Sequence, residues 1–287
     1  MGITELRIIN NSLFHNEYDL LELKLSTEYD SVDQFVIVES DHTFTGMYKG
    51  FNLPKQMERY SVWWDKVKYV QIGKPPAGSS MQVEWWMRGH FQQQWTDLTK
   101  EDVVVITDLD ELVRPDAYKF IRETDYDFYR LCMPFFCFKF NFLNIEGHTP
   151  WNSVKAFRGY VVQGEDGMRN VQGVPGGKQI ELNHAGWHFS YMGDTEWVLN
   201  KLRSFDDNWI PENRPELSAL DVSTLIKEGK CFWQSGFKFV PVKLDDYFPK
   251  AIIDNTSRYS EYILPDTDKS VTDYFPNTTI NNQQETV

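Results

Sequence analysis

Residues 103–112 read VVVITDLDEL, five β-branched residues running straight into Asp108, Asp110 and Glu111. Two aspartates one residue apart at the end of a buried strand can both reach a single hard cation. Carboxylate oxygens suit Mg2+ or Mn2+. Such a cation bridges the phosphates of a nucleotide and neutralises charge gathering on a departing diphosphate. The bland alternatives are solvated loop carboxylates and caps of the following helix. A second cluster, HAGWHFSYMGDTEW at residues 184–197, holds His184 and His188 four apart. Gly186 between them argues against a helix there, so the pair is not a helical metal motif.

The elements that must position these groups are legible upstream. Over residues 1–125 short β-like runs alternate with helical patterns, which predicts βαβ units around a mostly parallel sheet. Asn16 with Asp19 predicts a helix start, and Leu20, Leu21, Leu23 and Leu25 give that helix its apolar side. FVIVES (35–40) and VKYVQIG (67–73) read as strands, with VVVIT as about the third. Ser79 and Gln82 form a capping box. Val83, Met87, Phe91 and Trp95 then step along one helix face, beside a polar stripe of Glu84, Arg88 and Gln92. Arg114-Pro115 opens a helix to about Thr124. In open α/β sheets ligands dock beyond the carboxyl ends of the strands, which is where Asp108 to Glu111 fall.

Beyond residue 125 the texture changes to long aromatic β-type runs, then a Gly-rich loop at 164–177, then helical patterns at 195–208 and 217–228. The fold class is α/β, a single domain over residues 1–265. Residues 1–125 form a nucleotide-type half, residues 126–265 complete the site, and 266–287 read as a polar tail.

The chain carries a formal net charge of −13 and 10 Trp, 14 Tyr and 20 Phe. That average field repels polyanions and sets nucleic-acid binding aside. The aromatics beyond those needed for a core suit stacking surfaces for flat or ring-shaped ligands. Three cysteines, Cys132, Cys137 and Cys231, make neither a disulfide framework nor a zinc site. No apolar run approaches the roughly 20 residues of a transmembrane segment, and the N-terminus lacks the apolar core of a signal peptide. The expected location is the cytoplasm.

Taken in order, NEYDLLELKL, FVIVESDHTFTG, the Glu84–Arg88 helix, ITDLDELVRP and AGWHFSY resemble the motifs of glycosyltransferase family 17, over roughly residues 6–264. The resemblance implies a GT-A-type fold, a mixed sheet flanked by helices, and an inverting transferase using a UDP-sugar, UDP-GlcNAc foremost, with a glycan or polysaccharide acceptor. It implies Mn2+ or Mg2+ held by Asp108, Asp110 and His188, with Asp110 the firmer ligand and Asp108 shared with the ribose. Glu39 and Ser40 would lie near the uracil and ribose. Arg88 would reach the diphosphate or the aspartates, against the plain alternative of an i,i+4 pair with Glu84.

Inversion needs a base across the sugar from the diphosphate. Glu111, Glu181, Asp194, Glu196 and Asp207 are the candidates. Glu196 comes first, because the family has an acidic residue at the matching place after GWHxS, and Asp194 second. Both can equally be first-turn acids favoured by a helix dipole. Trp151, Trp187, Tyr191, Trp209 and Trp233 are candidate sugar platforms. Secreted-pathway members carry an N-terminal anchor and stem that this sequence lacks, which points to a bacterial or viral cytoplasmic enzyme. The segment KCFWQSGFKF departs from the family's wording, so acceptor identity does not carry over.

Two other functions compete. Haloacid-dehalogenase-like phosphohydrolases also place an Asp pair after an apolar strand, the first as nucleophile. They carry it on the first strand with Thr or Val two positions after the second Asp, where this chain has Leu112. A non-catalytic carbohydrate-binding module is the other.

Overall fold

The computed structural model describes residues 6–147, 149–161, 168–205, 214–232, 236–265, 267–276 and 284–285. The run that ends in the carboxylates forms strand β4 (Val103–Ile106) at the centre of an eight-stranded sheet. The other strands there are β1 (Ile8–Leu13), β2 (Gln34–Ser40), β3 (Val67–Ile72), β6 (Phe128–Met133), β9 (Trp151–Arg158), β10 (Gln179–Leu182) and β13 (Gln284–Glu285), in the order β13-β10-β6-β9-β4-β1-β2-β3. Strands β1 to β4 pair in parallel, and β9 lies antiparallel to both β4 and β6. The sheet is therefore mixed, as expected. A second sheet, of order β12-β8-β7-β11-β5, is built from β5 (Glu111–Val113), β7 (Phe135–Cys137), β8 (Phe142–Glu146), β11 (Gly186–Ser190) and β12 (Lys238–Pro241).

Strand alternation sorts the core. Ile8, Ile37, Val103 and Val105 face one layer, which they fill with Leu21 and Leu25 of helix α1 (Tyr18–Glu28) and Ala117 and Ile121 of α3 (Pro115–Glu123). Ile9, Val36, Val38, Val104 and Ile106 face the other, against Val83 and Met87 of α2 (Ser80–Gly89). The capping box of Ser79 and Gln82 is present. The helix ends at Gly89, yet Phe91 and Trp95 keep their place in the same layer.

Strand β1 has a polar middle, and its groups are all buried and bonded. Asn11 Nδ2 donates to the carbonyls of Ile9 and Val105, Trp95 Nε1 donates to Asn11 Oδ1 at 2.9 Å, and the Ser12 hydroxyl lies 2.7 Å from that of Thr107. Most buried amides in folded proteins are satisfied in this way.

Three local expectations are corrected. Helix α1 takes Glu17, not Asn16, at its N-cap, without a side-chain capping bond. Residues 217–228 are not one helix. A 3-10 turn (Pro215–Ala219) stops before Asp221, which caps α5 (Val222–Glu228) through the Ser223 N–H. The polar end of the chain folds back as well. Ser270 and Asp273 make a capping box on a short helix (Val271–Tyr274), Val271 is fully buried, and β13 pairs with β10. Among the described residues no helix is long and apolar enough to cross a membrane.

Candidate active site

At Ile106 the chain leaves the large sheet, and by Glu111 it has entered the small one. Residues 107–110 are thus a turn at the carboxyl ends of the parallel strands, between the two sheets. The Asp108 N–H donates to Glu111 Oε2 at 2.7 Å, and the Phe189 N–H of β11 donates to the Asp110 carbonyl at 2.7 Å. Below the turn, Lys24 Nζ donates to the Glu111 carbonyl and to Glu28 Oε1, and Glu28 also takes the Val113 N–H and the Tyr118 hydroxyl. This buried network fixes the backbone of β5.

The side chains of the turn divide their work. Both Asp108 oxygens are held by arginines, Oδ1 by Arg88 Nη2 at 2.6 Å and Oδ2 by Arg169 Nη2 at 2.7 Å. Burial opposes charge on Asp108, but Arg169 and Arg88 together hold its carboxyl well below the ordinary range. Glu111 is fully buried and takes two bonds from Arg169 and one from Trp151 Nε1, so it has no oxygen to act as a base. Asp110 faces elsewhere. Its Oδ2 lies 3.2 Å from Lys201 Nζ, and its Oδ1 lies 3.7 Å from His188 Nε2. Burial raises the Asp110 carboxyl above its ordinary value, opposed by Lys201 and His188.

His188 sits on β11, stacked on Phe135 at 4.9 Å and tilted against Trp151 at 4.4 Å. Burial lowers its pKa, so the ring is neutral. Its Nδ1 is buried with no hydrogen-bond partner among the described residues. Arg88 satisfies both of its expected pairings, Glu84 at 2.7 Å and Asp108 at 2.6 Å. Its Nη1 remains a buried donor with no acceptor among the described residues. Orphaned buried donors are rare and call for a ligand, ion or water.

Asp108, Asp110, Arg88 and His188 line one cleft at the strand ends. Leu13 and Val38 at the strand ends and Met87 of α2 make an apolar wall. Asp108, Asp110, Arg88, His188 and Lys201 supply charge, and Ser40, Trp151 and Tyr191 also face the space. Ser40 is committed to the strand-end turn, its hydroxyl donating to the Gly73 carbonyl and accepting from the His42 N–H.

Several expected residues lie elsewhere. Glu39 points to the opposite face of β2 from Val38 and Ser40. Its carboxylate takes Lys49 Nζ, the Asn52 and Leu53 N–H groups and the Tyr69 hydroxyl. It pins the 41–53 segment rather than facing a ligand. Asp194 caps helix α4 (Thr195–Phe205) by accepting from the Trp197 N–H, and Glu196 is exposed in its first turn; neither lines the cleft. Glu181 lies on β10, 3.9 Å from Arg130. Trp187 is buried under Arg114. Asp207, Trp209 and Trp233 lie outside the described residues.

Sequence reasoning missed three site residues. Arg169 sits in the Gly-rich stretch read only as loop. Lys201 flanks the buried Val198 and Leu202 of α4, and a lysine beside an apolar stripe was the available signal. Glu17, in the NEYDLL motif, has one oxygen taken by the His15 and Asn16 N–H groups and the other 3.6 Å from Lys201 Nζ.

Among the described residues no three or more His, Cys, Asp or Glu side chains gather to hold a metal unaided. With Asp108 tied to arginines, Asp110 and His188 are the pair that fit a cation. A carboxylate and a neutral imidazole with no hydrogen bond of its own suit an ion that draws its remaining ligands from substrate phosphates.

Residues 3–207 match the model of glycosyltransferase family 17. The chain is 24% identical over 301 residues to a human protein named beta-1,4-mannosyl-glycoprotein 4-beta-N-acetylglucosaminyltransferase, covering 90% of this chain and 55% of that one. The rat protein of the same name is also 24% identical, with 54% of its length covered. The chain spans about half the length of the curated relatives it matches. With the match running from β1 through the carboxylate turn and His188 to helix α4, the chain belongs to glycosyltransferase family 17.

Proposed function

We propose that this chain is an inverting glycosyltransferase that moves a sugar, GlcNAc from UDP-GlcNAc, to a glycan acceptor. Family membership supports transfer of a sugar, and the names of the relatives support the GlcNAc donor. The observation that carries the reading is Arg88. It is a fixed, buried cation at the carboxyl ends of parallel strands, lining the cleft, with Nη1 left without an acceptor among the described residues. A diphosphate oxygen is the partner such a donor lacks.

The apolar wall of Leu13, Val38 and Met87 suits the flat face of a nucleobase. Arg88 presents positive charge to the diphosphate. Asp110 and His188 would hold Mn2+ or Mg2+, which supplies charge to stabilise the departing diphosphate. A phosphohydrolase would need Asp108 as an open nucleophile, and both of its oxygens are held by arginines.

The test is release of UDP from UDP-GlcNAc by the purified protein, with Mn2+ and with EDTA. The proposal expects release with the metal and little without it. Equal release under both conditions removes the metal, and release of phosphate from simple phosphomonoesters instead would favour the hydrolase.

A further inference from the structure

The donor cleft leaves two things without a place, the acceptor sugar and the base. Next to it lies a smaller pocket of about 490 Å3 of empty volume, bounded by Asn16, Asp19, Phe140, Met192, Trp197 and Tyr262. Glu17 lines both spaces. It stands at the start of α1, on the NEYDLL motif, which the donor site otherwise leaves unused.

The Glu17 carboxylate is held but not spent. The backbone N–H groups of His15 and Asn16 both donate to Oε2, at 3.1 and 3.0 Å. Among the described residues Oε1 makes no hydrogen bond, and the cation nearest to it is Lys201 Nζ, at 3.6 Å. That same Nζ lies 3.2 Å from Asp110. One oxygen is thus oriented by the backbone, while the other is held only by Lys201, on the residue the two spaces share. The neighbouring pocket offers the indole of Trp197 and the ring of Tyr262, whose hydroxyl reaches Asp19 Oδ2 at 3.3 Å. Aromatic faces beside carboxylates are what a sugar ring, apolar on its faces and hydroxylated at its rim, can use.

We infer that Glu17 is the general base of transfer and that the pocket beside it receives the acceptor sugar; this rests on the nucleotide-sugar reading above. In the step, an acceptor hydroxyl oxygen bonds to the anomeric carbon of the donor as the bond from that carbon to the diphosphate oxygen breaks. The electron pair of the broken bond leaves with the nucleoside diphosphate, and the hydroxyl proton passes to Glu17 Oε1. With no saccharide in the pocket, water takes the acceptor's place and the donor is slowly hydrolysed. Asp194, on the far side of the Trp197 backbone N–H that it accepts from, then acts only as a helix cap.

The test compares wild type, Glu17→Gln, Glu17→Ala and Tyr262→Ala. UDP affinity is read by calorimetry, and UDP release from UDP-GlcNAc is read in buffer and with a panel of methyl glycosides, methyl β-mannoside among them. Gln keeps an oxygen for the two backbone N–H groups, so the local fold survives. The expected result is UDP affinity within about threefold of wild type for Glu17→Gln and UDP release slowed at least about 100-fold, the usual weight of a general base. Formate should partly restore release by Glu17→Ala, which a purely structural role would not allow. At least one glycoside should speed release or yield a disaccharide in wild type, and Tyr262→Ala should lose that response at unchanged UDP affinity. Release by Glu17→Gln within threefold of wild type overturns the base. No response to any glycoside overturns the pocket. Absence of UDP binding by wild type overturns the donor reading itself, and this inference with it.

Discussion

Lys201 Nζ lies 3.2 Å from Asp110 Oδ2, inside the cleft and beside the neutral ring of His188. Burial works against the lysine's charge, but Asp110 and Glu17 together raise its pKa, so it stays an ammonium. A tethered cation therefore occupies one side of the carboxylate that the donor's metal would share. It makes Asp110 tolerable in the absence of ligand, and it competes for it.

Replacing Lys201 by Met should expose that competition. Removing one partner of a buried ion pair costs about 3–5 kcal/mol, so the thermal midpoint should fall. Millimolar Mn2+ should then raise the midpoint of the variant more than that of wild type. Thermal melts with and without Mn2+ check this; an equal response of the two proteins would show that Lys201 and the cation do not share Asp110.

Arg169 bridges the carboxylates of Asp108 and Glu111, and Glu111 is fully buried. Arg169→Ala leaves that carboxylate without its cation and should destabilise the fold by about 3–5 kcal/mol. Arg169→Lys should recover only a minor part, because an ammonium cannot span two carboxylates as the planar fork does. Urea denaturation should show a lower midpoint at unchanged slope. A midpoint equal to wild type would mean that the bridge carries no stability.

For Arg88 the prediction concerns the ligand. Its fork is fixed by Glu84 and Asp108, with Nη1 left over. Arg88→Lys should weaken UDP by roughly 10-fold or more, the scale of a charge-assisted hydrogen bond, while uridine affinity changes little. Paired titrations of UDP and uridine separate the phosphate contact from a general loss of the site.

How far the sequence carried depended on whether a group's role was written in a local pattern. Strand β4 and helix α2 were legible because a continuous β-branched run and an i+4 apolar ladder survive unchanged in the fold. The polar middle of β1 hid a central strand, since its asparagines are satisfied by Trp95 and by neighbouring carbonyls far off in sequence. Glu39 was drawn to the ligand by its place at a strand end, although alternation alone puts it on the face opposite Ser40. Arg169 and Lys201 reach the aspartates from 61 and 91 residues away. No periodicity reports contacts of that range.

His184 sets a pH limit on the fold. It accepts or shares a proton with the Tyr247 hydroxyl at 2.7 Å and faces Arg114; burial, with Arg114 second, lowers its pKa to about 4. The unfolded value is about 6.5. Because the folded value is depressed, the unfolded chain binds the proton first as pH falls. Stability from this group is complete above about 6.5 and is lost progressively down to about 4, by up to about 3 kcal/mol. His184 has a φ of 54°, a conformation asparagine tolerates. His184→Asn should therefore fold and lose less stability than wild type between pH 7 and pH 4, as measured by urea titrations at both values.

The most direct measurement is calorimetric titration of UDP-GlcNAc into the protein with Mn2+, on wild type and on Asp110→Ala. Wild type should show one site per chain, weakened by EDTA, and Asp110→Ala should lose at least about 10-fold in affinity. Equal binding by both proteins would move the donor away from this turn. No heat from any UDP-sugar, with metal or without, would contradict the nucleotide-sugar site altogether.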